Sequence, residues 1–332
     1  MTGSDPLSGP LVAQTPAPPT ARRWRDYALL AGLFALVLAG LAGLAAATGW
    51  EETLAQIAKL TWAQIGLLLA LSLANYGFRG LRWHLFARRL GVPTSALRNV
   101  THFLGGFAMS VTPGRVGELV RMRWLRRETG WPVERTAPLV LVDRASDLAA
   151  MAVLMAGGVA LSTGGTSGAL PVAVLALAVA WIATRPTLLH GAAGIGYRVT
   201  GRFARLFARL RGAARSLGRF TSPAVLLGAG VLGVIGWAAE GYAFHLLLGF
   251  MGAEIGLAKS IAIFTFATLA GGLTGAPGGV GGAEAAMVAL LALEGVPLDI
   301  SIPATAVIRL TTLWFALLIG LIAFPLAERM PK

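Results

Sequence analysis

Thr112-Pro113-Gly114-Arg115-Val116-Gly117-Glu118 and Ala276-Pro277-Gly278-Gly279-Val280-Gly281-Gly282-Ala283-Glu284 are two versions of one pattern. Each sets Pro-Gly inside an apolar region and follows it within a few residues by a carboxylate. Proline removes a backbone donor and glycine accepts turns that other residues resist, so an apolar helix is predicted to break at each place. In hydrocarbon a broken helix is tolerated only where it is buried in protein or lines a wet cavity. Two breaks at matching positions of two halves point to a binding site of the transporter kind near the membrane midplane.

Outward from these stretches the likeness continues. An offset of 161 positions lays Arg82-Trp83-His84-Leu85-Phe86 over Ala243-Phe244-His245-Leu246-Leu247, Gly91 over Gly252, Arg98 over Lys259 and Arg79 over Glu240. Through the Pro-Gly stretches the offset grows to between 164 and 166, and Arg144 then falls on Arg309 at 165. The shared order of these matches marks an internal repeat.

The 332 residues are 56% hydrophobic and 13% charged, with mean hydropathy +0.71. That composition belongs to a polytopic membrane protein. The absence of Cys excludes a disulfide frame, a thiol nucleophile and a Cys-based metal site. The net charge of +13 is carried by residues that flank apolar spans. It therefore points to cytoplasmic loops and anionic lipid headgroups, and no nucleic-acid partner is expected.

Met1–Thr20 is rich in Pro, Ser and Thr and reads as a disordered tail, taken to residue 26. The apolar run Tyr27–Thr48 behind Arg22, Arg23 and Arg25 is a retained span with its amino end inside. Trp50–Trp62 reads as a short polar connector. Ala63 to about Phe86 is the second span; its Arg79 and Arg82 lie near one end, where long side chains can snorkel to phosphate. Ser95–Val111 and Gly114–Arg127 are each too short or too charged to cross alone, which predicts a re-entrant hairpin with Pro113-Gly114 at its tip. Ala137–Leu161 and Ala169–Thr184 cross on either side of an uncharged turn. Between Arg185 and Arg219, Arg198, Arg202, Arg205 and Arg209 recur at helical spacing among apolar residues. That pattern suits a helix in the headgroup plane, and an ordinary solvated connector fits it equally well. Ala224–Phe250 crosses, Leu257–Gly275 and Gly282–Leu293 form the second hairpin around Pro277-Gly278, and Ile302–Leu326 is the last span.

With the amino end inside, six crossings place 24 of the 28 Lys and Arg on the cytoplasmic side, together with both termini. One crossing separates the repeats, so they are inverted. The expected fold is an all-α polytopic membrane protein: about six transmembrane helices plus two re-entrant helical hairpins in an inverted-topology repeat. Residues 27–326 form one membrane domain. Repeat one covers about 62–161, the connecting segment 169–222 and repeat two about 223–326, and a short tail follows over 327–332.

No P-loop, HExxH, GxSxG or dinucleotide fingerprint is present, and the four His lack metal-ligand spacing, so no catalytic residue, cofactor or metal site is assigned. The glycines around Pro277 could cradle a phosphate, but without a strand–helix context close helix packing explains them better. Glu118, Asp143, Arg144, Asp147, Glu240, Glu284 and Arg309 are ionisable residues inside spans or hairpins, each costly in lipid by ~2.5–3.5 kcal/mol. Asp143 and Asp147 share a helical face, and Arg144 reaches Asp147 at i+3. Ion pairs that only pin hairpins to spans would use the same residues. Their recurrence beside both breaks favours a binding site.

Phe78-Arg79-Gly80-Leu81-Arg82-Trp83, Pro113-Gly114-Arg115-Val116-Gly117-Glu118-Leu119-Val120-Arg121, Asp143-Arg144 and Pro277 to Glu284 occur in an order that resembles the lysylphosphatidylglycerol synthase transmembrane family, also called the flippase-like domain family. The resemblance covers roughly Tyr27 to Leu326. In bifunctional members this region moves an aminoacylated phospholipid between leaflets, and a separate soluble domain makes that lipid. The chain ends at Lys332 without such a domain, so the resemblance implies translocation without lysyl transfer. Stand-alone members are associated with varied lipids, hence the lipid itself is not inherited.

The expectation is a lipid translocase of the inner membrane, moving a phospholipid or polyprenyl-linked lipid with a phosphate between leaflets through a midplane cavity lined by the two re-entrant hairpins. Arg115, Arg144 and Arg309 would attract the phosphate. Glu118 and Glu284 would balance them, or bind a cationic headgroup or a proton. Asp143, Pro113, Gly114, Pro277 and Gly278 would complete the site, with the hairpins as alternating gates. A homo-oligomer is compatible with this reading. The alternatives are a membrane enzyme transferring a group on a lipid carrier, with Glu118 as base and Arg115 as clamp, and a non-transporting membrane subunit of a lipid-biosynthesis complex.

Overall fold

The computed structural model describes residues 50–110, 119–162 and 218–330, with a few isolated positions between them. Several expectations therefore lie outside the described residues: the tail, the span Tyr27–Thr48, the Pro113-Gly114 turn with Arg115 and Glu118, the crossing Ala169–Thr184 and the basic stretch with Arg198 to Arg209.

Among the described residues the chain is helical, with no strand. In order come α1 (Trp50–Ala58), α2 (Trp62–Leu90), α3 (Ala96–Gly106), α4 (Val120–Thr129), α5 (Val133–Leu161), α6 (Pro223–Phe250), α7 (Leu257–Leu273), α8 (Gly282–Leu293), α9 (Leu298–Arg309) and α10 (Phe315–Arg329). A π-helical turn, Leu310–Trp314, joins α9 to α10 without a break. Among the described residues two helices are long and apolar enough to cross a membrane: Pro223–Phe250, and Leu298–Arg329 through the π turn. The connector expected at Trp50–Trp62 is largely the helix α1, which packs against α9. Its Ile57, partly buried, packs against the apolar cluster there.

The start and stop signals are local. Thr61 and Gln64 form a capping box at the start of α2: the Gln64 amide donates to the Thr61 hydroxyl, and the Thr61 amide to the Gln64 side chain. Gly91, at φ 85°, closes α2 in the left-handed conformation.

The repeat is visible as repeated contacts. Gly252 turns the chain after α6 at φ 87°, 161 positions beyond Gly91. Pro132 and Pro297 are the residues before α5 and α9, and Pro138 and Pro303 sit at matching places inside them. His84 Nδ1 lies 3.0 Å from Asn99 Nδ2, and His245 Nδ1 lies 3.4 Å from Ser260 Oγ, its counterpart at the same offset. Arg98 pairs with Glu128 at 2.7 Å, tying α3 to α4; Lys259 pairs with Glu294 at 2.6 Å, tying α7 to the end of α8. The helices within each of these pairs run antiparallel. A Cβ at Gly271 would lie 2.6 Å from the Ala283 Cβ, so the arms of the second hairpin touch near its tip, opposite the Lys259–Glu294 end. Gly106 similarly leaves the space that the Arg121 side chain fills between α3 and α4.

The two halves interlock by exchanging partners. α2 packs on its counterpart α6, while α7 packs on α5 and α10 on α3. Gly236 faces Asn75 and Phe78, Gly233 faces Arg82, and Gly228 faces Leu85. Rising numbers on α2 meet falling numbers on α6, so equivalent helices cross antiparallel. That relation places one half upside down with respect to the other. Tyr76 on α2 and Trp237 on α6 are repeat equivalents, 161 positions apart.

Candidate functional site

At the crossing, α2 and α5 bury a dense set of charges. Arg82, with no exposed side-chain surface, reaches Asp143 and Asp147 at 2.7 Å each. Arg79 pairs with Asp147 at 2.9 Å. Arg144 approaches Asp143 at 3.1 Å and Asp147 at 3.3 Å, and Arg121 lies 3.6 Å from Asp143. The Trp237 indole N–H donates to Asp147 at 3.0 Å. The arginines are also covered by aromatic faces: Arg79 over Trp237 at 4.7 Å, and Arg121 over Phe103 at 4.5 Å. Asp143 and Asp147 lie one helical turn apart, which lets one guanidinium fork across both. The expected shared face and the i+3 contact of Arg144 are present. The snorkelling expected of Arg79 and Arg82 is not, because α5 holds their guanidiniums on two buried carboxylates at 2.9 and 2.7 Å.

A second group forms at the tip of the second hairpin. Pro277 opens a 3₁₀ turn, and Gly278, at φ 63°, reverses the chain and presents its carbonyl. Arg309 donates to that carbonyl at 2.8 Å and to Glu284 at 2.6 Å. Glu284 also accepts the Gly281 amide at 2.7 Å, closing the first turn of α8. The carboxylate thus fixes the tip and the arginine that faces it.

Each group reaches one cleft, the first through Arg79 and Trp237 and the second through Arg309. The cleft, of about 60 Å³ and partly open to the surroundings, lies at the α2–α6 crossing. Its polar wall is made by Tyr76 and Arg79 from α2, Glu240 and Trp237 from α6, Thr268 from α7 and Arg309 from α9. Phe107, Phe264, Leu313 and Ala316 form the apolar part. The Tyr76 hydroxyl donates to the Thr312 carbonyl inside the π turn, linking α2 to the last long helix at the cleft edge. Arg79 and Glu240 are repeat equivalents, so the pseudo-twofold relation puts a cation on one wall and an anion on the other.

Of the candidates from sequence, Asp143 and Arg144 fall in the α2–α5 cluster, and Gly278, Glu284 and Arg309 at the hairpin tip that Pro277 begins. Arg309 alone of them lines the cleft. Pro113, Gly114, Arg115 and Glu118 lie outside the described residues. The sequence reading missed Tyr76, Trp237 and Thr268 and misplaced Arg79. A signal existed: Tyr76–Arg79 and Trp237–Glu240 share i, i+3 spacing at the repeat offset, which sets both pairs on one helix face.

Helices of this length and apolarity, interlocked around buried charge, define an all-helical membrane protein. The family model described as the lysylphosphatidylglycerol synthase TM region matches residues 28–320, and the chain belongs to that family. No curated protein matches the chain.

Proposed function

We propose that the protein is a lipid translocase of the inner membrane, moving a phosphate-bearing lipid between leaflets through the cleft at the α2–α6 crossing. The observation that carries this reading is the convergence of helices from both halves on one partly open cleft holding Arg79 and Arg309, the latter anchored to the second hairpin tip. A lipid phosphate there exchanges water for charge-assisted hydrogen bonds, and its acyl chains stay in the bilayer through the open side.

On this reading, residues 27–326 make six crossings and two re-entrant hairpins. α7 and α8 have 17 and 12 residues, about 25 and 18 Å of helix, short of a hydrocarbon core of about 30 Å. α3 and α4 are shorter still. The distribution of charged contacts agrees. Arg123 and Arg127 meet Glu328, and the Arg89 guanidinium donates to the Arg219 carbonyl, at the end assigned to the cytoplasm. The Lys259–Glu294 pair sits at the other end of α6.

The test is reconstitution into liposomes holding a fluorescent phospholipid, with an external quencher and mass analysis of the headgroup. Translocation gives protein-dependent loss of the protected inner-leaflet signal with the headgroup unchanged. An altered headgroup would identify a transferase instead. No effect on either would identify a non-transporting subunit.

A further inference from the structure

Glu240 is the group in the cleft that neither charge cluster uses. It lies on α6, is 4% exposed and lines the cleft. Among the described residues its carboxylate has no hydrogen bond or ion pair, whereas every other acidic group at the crossing is engaged. The charged and titratable groups facing it are Arg79 and Tyr76 on α2, Asp147 on α5 and Arg309 on α9. Arg79 is already held by Asp147 at 2.9 Å, and Arg309 by Glu284 at 2.6 Å. Tyr76 directs its hydroxyl to the Thr312 carbonyl. Both guanidiniums on the cleft wall therefore have carboxylate partners before any ligand arrives.

An anionic headgroup bound to Arg79 and Arg309 brings its negative charge into the same cleft as Glu240. Two anions sharing a site away from water do not both stay ionised. The phosphodiester is too strong an acid to take up the proton, so the carboxylate is the group that neutralises. We propose that Glu240 is a proton-binding site coupled to headgroup occupancy. One proton from the medium binds the Glu240 carboxylate as the lipid phosphate enters, and leaves as the phosphate departs. This rests on the translocase reading and adds the ion to which that site is linked. The antisymmetric pair made by Arg79 and Glu240 then has distinct tasks: one wall holds the phosphate and the other adjusts its charge.

The experiment is calorimetric titration of the full chain in neutral detergent with a short-chain phosphatidylglycerol, in two buffers of different ionisation enthalpy at each of several pH values. The buffer difference gives the number of protons taken up. The wild type should take up close to one proton per lipid where Glu240 is ionised. Its Kd should tighten towards about 10-fold per pH unit as pH falls, levelling off once Glu240 is protonated before the lipid arrives. Glu240→Gln should take up none and bind with a Kd that does not vary with pH. Saturable binding by the wild type without proton uptake overturns the proton site and leaves the translocase reading standing. Equal uptake by Glu240→Gln overturns the assignment to this residue. Absence of saturable binding overturns the proposal together with the reading beneath it. If Glu240→Gln is not monodisperse, the wild-type proton count and pH slope decide the matter alone.

Discussion

Arg82 and Arg309 are both buried arginines held by carboxylates, and their surroundings give them different tasks. Arg82 is wholly enclosed between Asp143 and Asp147. Truncating Arg82 takes the 2.7 Å partner from both buried carboxylates at once and empties the space between α2 and α5, at a cost of about 3–5 kcal/mol. Arg82→Ala should therefore lower the Tm sharply or prevent recovery of monodisperse protein; a Tm equal to wild type would show that α2 and α5 do not depend on this pair. Arg309 shares Glu284 with the Gly281 amide and lines the cleft, so the tip keeps part of its anchoring without it. Arg309→Gln should yield folded protein that moves lipid about 10–100-fold more slowly, the equivalent of one charged hydrogen bond. Unchanged rates in the liposome assay would remove Arg309 from the path. The sequence displays the charges themselves, since a carboxylate or guanidinium in an apolar run is conspicuous. It does not display their pairing, because Arg79 and Asp147 are 68 residues apart and meet only through helix packing.

At the scale of elements, helix limits and the second break were legible because they depend on nearby residues. Thr61 with Gln64, Gly91 and Pro277-Gly278 act within a turn of where they stand. The π turn at Leu310–Trp314 was not legible, and nor was the helix at Trp50–Ala58. Both answer to distant partners, the first to Tyr76 and the second to α9. The same holds for the clasp at the end of α10. Glu328 accepts from the Trp124 indole at 2.9 Å and from Arg127 at 3.1 Å, and pairs with Arg123, joining the last helix to α4. Partial burial alone would raise the Glu328 pKa, but the indole and the two arginines outweigh it and hold the carboxyl below its usual value. A lowered folded pKa means stabilisation that is complete above the unfolded pKa and lost as pH falls through the folded one. Glu328→Gln should therefore melt below wild type at neutral pH. The gap should narrow only beneath about pH 4.3, the ordinary Glu value. A gap constant down to strong acid would mean that the carboxylate charge is not what holds the clasp.

At the scale of the molecule, the inverted repeat was the most legible feature, because offset matches such as Arg98 with Lys259 and His84 with His245 reappear as equivalent contacts. The cleft was half legible: Arg309 was found, while the role of the crossing emerged only once α2 and α6 were seen to pack antiparallel. Topology is testable directly because the chain has no Cys. In intact cells an impermeant thiol reagent should label Thr166→Cys and not Thr200→Cys; the reverse pattern would invert the orientation. The central claim, that lipid moves through the cleft at the crossing, is tested most directly by blocking it. Thr268, partly buried on α7, lines the cleft, whereas Leu227 on α6 is 71% exposed and does not. Thr268→Cys and Leu227→Cys are each reconstituted with and without prior attachment of a bulky maleimide, and lipid movement is followed by quenching. The account predicts that labelling at position 268 slows movement at least about 10-fold relative to the same unlabelled variant, while labelling at 227 leaves its rate unchanged. Equal rates for labelled and unlabelled Thr268→Cys would contradict it.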